Sequence, residues 1–243
     1  MKKYIKKIIN IILSPFIFSD YFSYKSKDKH NRFSLKLTDF YPQIKDKTVK
    51  TGFDRHYIYH TSWAARKVKE INPNFHTDIS SSLYFSGIIS SFIPVKFYDY
   101  RPAELKLSNL ESLEGDLMRL PFADNSITSI SCMHTVEHVG LGRYGDSIDP
   151  EGDLKAIEEL KRIVSKDGSL LFVVPMGKKA KIEFNAHRIY TYDMIMSYFE
   201  DMDLKEFSYI FENEKDGGIK IDAKREDTLI DNYGCGCFWF VKR

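Results

Sequence analysis

From residue 75 to the C-terminus, short apolar runs alternate with amphipathic stretches of helical period. Residues 75–79, 95–98, 110–114, 127–133 and 169–174 read as strands, because β-branched and aromatic residues are dense there and turn residues bound them. Residues 83–92 and 192–199 read as short helices between strands. The helix after residue 149 has the clearest punctuation. Asp149 is its N-cap, Pro150 sits in the first turn, Leu154, Ile157, Leu160 and Val164 form an apolar stripe, and Gly168 ends it. Residues 204–211 and 237–241 close the chain as two more strands, separated by a long polar connection over 212–233. Upstream, Thr61 or Ser62 can cap a helix running to Ile71, with Ala64, Val68 and Ile71 on one face and Pro73 beyond its end. This alternation predicts an α/β fold, a mostly parallel sheet with helices on both faces. The unbroken apolar run at 169–174 suits the middle of such a sheet.

The N-terminal part follows another pattern. Over residues 1–18, Lys2, Lys3, Lys6 and Lys7 share one helical face, while Ile5, Ile8, Ile9, Ile12, Leu13 and Phe16 follow a helical rhythm. The apolar part falls short of the ~20 residues a spanning helix needs, and Pro15 interrupts it. A basic amphipathic helix of this kind either docks on its own domain or a second copy of the chain, or lies in a membrane interface as a peripheral contact. Residues 19–60 are polar and read as irregular. The predicted organisation is thus an N-terminal helix and extension over 1–60, then one α/β domain over 61–243.

Composition narrows the partners. A net charge of +2 and the lack of a basic–aromatic stripe argue against nucleic acid. Three cysteines, an odd number with no secretory leader before them, point to reduced thiols and a cytoplasmic location, membrane-associated if residues 1–18 bind lipid. Cys235 and Cys237 are too close in sequence for a usual metal pair and read as strand residues. His56 and His60 fall just outside the helix predicted from residue 61, where a histidine is more often a satisfied surface or half-buried residue than a functional one.

In a parallel sheet the loops after the strands open on one edge, and that edge is where ligands bind. Five loops meet there, over 78–82, 99–102, 116–121, 133–149 and 175–188. Asp99, directly after an apolar strand, can accept hydrogen bonds from two adjacent ribose hydroxyls. Asp116 can accept from a purine amine, and Asp78 would suit a cationic ligand group. Each is also a common cap or turn residue, so the weight lies in three of them at successive strand ends.

Asp78 with its small-residue loop, Asp99, Gly115-Asp116 with Leu120-Pro121-Phe122, and the run over 131–138 (SCMHTVEH) together resemble the ordered motifs of class I S-adenosylmethionine-dependent methyltransferases. The resemblance spans about residues 75–175 and implies a three-layer Rossmann-like methyltransferase fold with a C-terminal antiparallel hairpin. The segments 140–146 (GLGRYGD) and 184–188 (FNAHR) resemble a bacterial family of uncharacterised methyltransferase-like proteins linked to surface-polysaccharide biosynthesis. The resemblance implies S-adenosylmethionine as cofactor and S-adenosylhomocysteine as product. Asp99, with Tyr100 and Arg101, would hold the ribose, and Asp116 with Leu117 the adenine. Asp78, Ser80 and Ser81 would pass beside the methionine part, and His134 would border the cofactor. The implied partner is a small-molecule or sugar substrate.

One departure concerns the first loop. The family's signature there is glycine-rich, because backbone must approach the cofactor closely. This chain has Asp78-Ile-Ser-Ser-Ser82 and no glycine until Gly87, so any position needing positive φ would be strained by about 1 kcal/mol or more.

Methyl transfer from a sulfonium depends mainly on alignment, while a hydroxyl acceptor must also lose a proton. His134 and His138 are the candidate bases, with His187 third. Arg143, Tyr144, Asn185, His187 and Arg188 are candidates for holding the acceptor, with the arginines suited to a phosphate or carboxylate on it. The glycine-rich stretch 140–145 would suit a lid. His134, Glu137 and His138 also fit H-x-x-E-H, a zinc-peptidase signature that requires a helix, whereas a β-rich run precedes it here and glycines follow. A divalent ion on those three residues beside the acceptor is a weaker variant. The readings that compete with a methyltransferase are a binding module on the same fold that has lost catalysis, and a zinc hydrolase.

Overall fold

The computed structural model describes residues 15–43 and 46–243. The amphipathic pattern of residues 1–18 therefore lies almost wholly outside the described residues. Two compact units divide the chain, Met1–Phe53 and Asp54–Arg243. In the first, helix α1 spans Pro15–Lys27 and a 3-10 turn spans Leu37–Asp39. Phe40 packs against Phe18 with ring centroids 4.6 Å apart and meets Tyr21 edge-on at 5.6 Å. A helix thus occupies part of the stretch expected to be irregular, because aromatic residues punctuate its polar sequence. Among the described residues, no helix is long and apolar enough to cross a membrane.

In the second unit, α2 spans Arg55–Ile71, β1 His76–Ile79, α3 Leu83–Ile89, β2 Val95–Asp99, β3 Leu110–Glu114 and β4 Ile127–Met133. Then follow α4 over Gly152–Ile163, β5 over Val164–Met176, β6 over Lys181–Glu183, β7 over His187–Ile189 and α5 over Tyr192–Tyr198. Strands β8 (Met202–Ile210), β9 (Ile219–Lys220) and β10 (Gly234–Lys242) complete the unit. Eight of the strands form one sheet in the order β3-β2-β1-β4-β5-β10-β8-β9, while β6 and β7 pair separately. Strands β1 to β5 are parallel neighbours, and β10 enters antiparallel to both β5 and β8. The expected mostly parallel sheet with an antiparallel C-terminal hairpin is present.

Alternation along β5 explains the layers. Leu170, Phe172 and Val174 pack with Ile157, Leu160, Ile195 and Phe199 on the face covered by α4 and α5. Leu171 and Val173 pack on the other face with Trp63, Ala64 and Val68 of α2 and Phe85 and Ile89 of α3. A strand buried on both faces must be apolar at every position, which is why its sequence runs unbroken.

Several boundaries differ from the sequence reading; helix α4 starts at Gly152 with Glu151, not Asp149, at its N-cap. Helix α2 starts at Arg55 rather than near residue 61, because Asp54 is its cap and accepts from the Tyr57 N–H at 3.2 Å. His56 and His60 therefore lie within the helix and are buried. Helix α4 ends at Ile163, and its buried stripe is Ala156, Ile157, Leu160 and Ile163, with Leu154 37% exposed and Val164 already in β5. Gly168 sits inside the longer β5, next to Asp167 in the left-handed region, rather than capping a helix.

Candidate active site at the switch point of the sheet

Chain direction around the sheet reverses between β1 and β4: β2 and β3 lie to one side of β1, and β4 and β5 to the other. A crevice opens at such a point beyond the carboxyl ends of the strands. Here it holds a cavity of about 340 Å³, lined in part by Ser80, Ser81, Asp99, Asp116, His134 and His138. Tyr100, Arg101, Leu117 and Tyr144 also line it, as does Tyr57 from α2. Most of the residues proposed from the sequence to touch a cofactor are therefore brought to one wall-to-wall space.

The two carboxylates are held in the same way. One oxygen of Asp99 accepts the Arg101 N–H at 2.8 Å, and one oxygen of Asp116 accepts the Met118 N–H at 2.9 Å. Each side chain bonds its own backbone two residues on, which fixes its direction while leaving further acceptor capacity. Between them Gly115 brings backbone against the Tyr98 ring; a Cβ there would lie 3.1 Å from Tyr98 Cβ.

The turn after β1 takes the place of a glycine-rich loop. Ser80 has φ of 52°, and its N–H and Oγ both donate to the Tyr98 carbonyl, at 2.7 and 3.1 Å. Thr135 Oγ1 donates to the Ser80 carbonyl at 3.0 Å, and Ser81 Oγ accepts the Met133 N–H at 3.0 Å. Asp78 does not line the cavity. It is wholly buried, with one oxygen accepting from Ser131 Oγ at 2.6 Å and the other from Ser86 Oγ. Burial pushes its carboxyl up to about 6, against the pull of the Ser131, Ser81 and Ser86 hydroxyls. His76 completes the chain. Its Nε2 lies 2.9 Å from Ser131 Oγ and its Nδ1 2.8 Å from Ser129 Oγ. Because Ser131 gives its proton to Asp78, His76 donates from Nε2 and accepts at Nδ1.

His134, at the end of β4, is a second non-glycine residue in the left-handed region, with φ of 55°. Its Nδ1 donates to Glu137 Oε1 at 2.8 Å, and its Nε2 lies 3.3 Å from Cys235 Sγ. Residues Val136–His138 form a single 3-10 turn, so the H-x-x-E-H segment lacks the helix that the zinc-peptidase arrangement needs. His138 Nδ1 donates to the Ala186 carbonyl at 2.6 Å, which leaves the Nε2 lone pair unprotonated. Burial lowers the pKa of His138, although Glu137 pulls it upward. Burial opposes the ionisation of Glu137, but His134 and then His138 hold its pKa below the ordinary carboxylate range.

The candidates for the acceptor side divide. Tyr144 lines the cavity mouth, and the guanidiniums of Arg101 and Arg143 lie over its ring at 4.7 and 5.1 Å. Arg143 donates to the Ala186 carbonyl at 2.9 Å and is not part of the cavity lining. Asn185 and His187 also lie outside the lining, and His187 stacks on Tyr233 with centroids 5.1 Å apart. Arg188 is 5% exposed and points inward, donating to the Val139 carbonyl at 2.6 Å and to Pro150 at 3.3 Å, beside Asp153. It ties β7 to the loop before α4. That loop is a built turn: Asp146 accepts the N–H groups of Gly140 at 2.8 Å, Gly142 at 3.3 Å and Tyr144 at 3.2 Å.

The sequence reading missed Tyr57, whose ring stacks on His134 at 5.5 Å, together with His56, His60 and Cys235 around the same imidazole. The one-turn spacing of His56 and His60 was the available signal, once Asp54 is taken as the cap.

Comparison with solved structures agrees with the fold. Residues 120–232 match the model of a family described as Caenorhabditis protein of unknown function, DUF268. No curated protein matches the sequence. Among solved structures, the YcgJ protein of Bacillus subtilis is similar with a TM-score of 0.51 and 15% identity, covering 76% of this chain and 99% of that one. A SAM-dependent methyltransferase from Thermotoga maritima gives a TM-score of 0.52 at 14% identity, covering 78% and 94%. A chain from the Haloferax volcanii complex of the Trm112 methyltransferase activator with a methyltransferase gives 0.51 at 17% identity, covering 77% and 89%. The fold of this chain is the Rossmann-like fold of class I methyltransferases.

Proposed function

We propose that the chain is an S-adenosylmethionine-dependent methyltransferase acting on a hydroxyl, and that its acceptor is a sugar or glycan precursor of a bacterial surface polysaccharide. The observation that carries the cofactor assignment is the pair Asp99 and Asp116, fixed at the ends of adjacent strands and facing one cavity beside the Ser80–Ser81 turn. Its volume lies within the ~300–1,000 Å³ usual for small-molecule sites. Asp99 would accept from the ribose hydroxyls, Asp116 from the adenine amine, and the Ser80–Ser81 backbone would run along the methionine part. The cofactor supplies the electrophilic methyl.

This chain's own residues would orient the acceptor and take its proton. The acceptor hydroxyl, in taking the methyl group, would have to give its proton to a base of this chain. His138 is the base in this reading: its Nε2 carries the lone pair, and its lowered pKa keeps it neutral at pH 7. His134 is less suited, because Glu137 and Cys235 engage both its ring nitrogens. Arg101 at the mouth, with the Arg143 guanidinium also over the Tyr144 ring, would supply positive charge for a phosphate on the acceptor. The sugar class is supported by the resemblance of segments 140–146 and 184–188.

The test is calorimetry with S-adenosylmethionine and S-adenosylhomocysteine, followed by transfer from radiolabelled donor to a panel of nucleotide sugars. Asp99→Ala should weaken cofactor binding at least tenfold. His138→Ala should spare binding and lower turnover by about 10²–10⁴-fold, the range for a lost general base. Absence of heat at millimolar cofactor would favour a non-catalytic module on this fold, and wild-type rates in both variants would remove the site assignment.

A further inference from the structure

Behind the cavity wall lies a cluster built on His134 whose other members, His56, His60 and Cys235, the proposed methyl transfer does not use. His56 and His60, one turn apart on α2, converge on His134 at the end of β4 and Cys235 at the start of β10. The rings of His56 and His134 stack at 5.3 Å, and those of His60 and His134 lie 5.1 Å apart. One donor atom from each of His56, His134 and Cys235 falls within 4.8 Å of the others. All three are buried. His60 is fully buried, and among the described residues neither of its ring nitrogens has a hydrogen-bond partner. Two orphaned imidazole nitrogens in an interior are costly, about 1–3 kcal/mol for each group left unsatisfied, and need a reason.

We infer that His56, His134 and Cys235 form a binding site for a divalent transition-metal ion, with His60 a further nitrogen donor beside it. Two imidazoles and a thiolate are the donors of a zinc site that keeps an open position. The wider setting agrees. Glu137 accepts from His134 Nδ1, which orients Nε2 toward Cys235, the carboxylate–histidine–metal arrangement that raises the basicity of a ligand. His134 is held in a left-handed conformation that few non-glycine residues adopt, and such strain collects where geometry must be kept. Binding converts the Cys235 thiol to a thiolate and releases one proton, so the ion, the thiolate and the Glu137 carboxylate sum to zero charge. This group differs from the set of His134, Glu137 and His138 read from the sequence, with which it shares only His134. Since His134 also lines the cavity, an ion held there lies one imidazole from it.

The full chain, stripped with a chelator and without methyl donor, is titrated with Co²⁺ and then Zn²⁺, so the outcome is separate from that of the methyltransferase proposal. The expected result is one equivalent of Co²⁺ with a thiolate charge-transfer band and visible d–d bands, displaced by Zn²⁺. Zn²⁺ should raise the melting temperature of the unaltered chain and a chelator should reverse it. Cys235→Ser should remove the charge-transfer band, while Cys132→Ser, on the opposite face of the sheet, should keep it. Glu137→Gln should weaken binding about 10–100-fold, the usual effect of losing such a partner. A native chain that shows neither a band with Co²⁺ nor a shift with Zn²⁺ would overturn the inference, as would a band that survives in Cys235→Ser.

Discussion

Ser80 stands where the fold wants a residue with positive φ and the sequence offers a side chain. Its two bonds to the Tyr98 carbonyl offset a strain of about 1–2 kcal/mol, the usual cost of the left-handed region. Ser80→Gly relieves the strain but loses the hydroxyl bond and frees the unfolded chain, so its stability should stay within about 1 kcal/mol of wild type. Ser80→Val adds a β-branched side chain where none is tolerated and should lose about 2 kcal/mol or more, read by denaturant midpoint. Asp78 gives a pH signature. Its carboxyl titrates near 6 in the fold against 3.8 as the ordinary value, so the ionised form opposes folding. That penalty is complete above pH 6 and vanishes below pH 4. Asp78→Asn removes it, so the variant should compare better with wild type at pH 7 than at pH 5, by about 1 kcal/mol, while a difference that does not change with pH would sink the assignment. Asp99 and Asp116 were legible as rim residues because each falls at or just beyond the end of a strand, and both line the cavity. Asp78 has the same sequence signature, and only the hydroxyls of Ser131 and Ser86, brought from other elements, show that it is a buried strut.

Over residues 140–145 the chain looks like a lid in sequence and is a wired turn in the structure. Three glycines read as flexibility, yet Gly140, Gly142 and Gly145 use positive φ to aim backbone N–H groups, two of which reach Asp146. A Cβ on Gly140 would collide with the Asp149 carbonyl. Asp146→Ala strands three N–H groups and should cost about 1–3 kcal/mol, with weaker cofactor binding because Asp146 also lines the cavity. Arg188 is the second anchor of this turn. Arg188→Met keeps the stem but leaves Asp153, itself 5% exposed, without its cation. Breaking a buried pair from one side costs about 3–5 kcal/mol. At roughly 2–4 °C per kcal/mol for a chain of this size, the melting temperature should fall by about 6–20 °C, whereas a residue serving only the acceptor would leave it unmoved. The helix α2 boundary was misread for a related reason. Thr61 and Ser62 are good caps in sequence, but Asp54 captures the Tyr57 N–H first, and the added residues carry His56 and His60 inward and set Tyr57 against the cavity.

At the scale of the whole molecule, strand order does what no single residue does. Placing β1 between β2 and β4 puts Ser80, Asp99, Asp116 and His134 on one rim, although they are far apart in sequence. The alternation of apolar runs made the parallel sheet legible, and the unbroken run in β5 made its centre legible. The cluster of His56, His60, His134 and Cys235 was not, because it joins a helix, a strand end and the antiparallel β10 across the sheet, and no sequence spacing encodes that meeting. The shared rim also links ligand to fold. A cofactor that binds only the folded state at 100 times its Kd adds about 2.7 kcal/mol of stability. For a chain of this length that is about 5–11 °C in melting temperature. S-adenosylhomocysteine should therefore shift native protein by that amount at saturation. Asp99→Ala and Asp116→Ala should each shrink the shift, and removing both should abolish it, if the two hold separate parts of one nucleoside as proposed. If the two single variants kept the full shift while the fold stayed intact, the carboxylates would be turn residues, and the cavity between them would serve some other ligand.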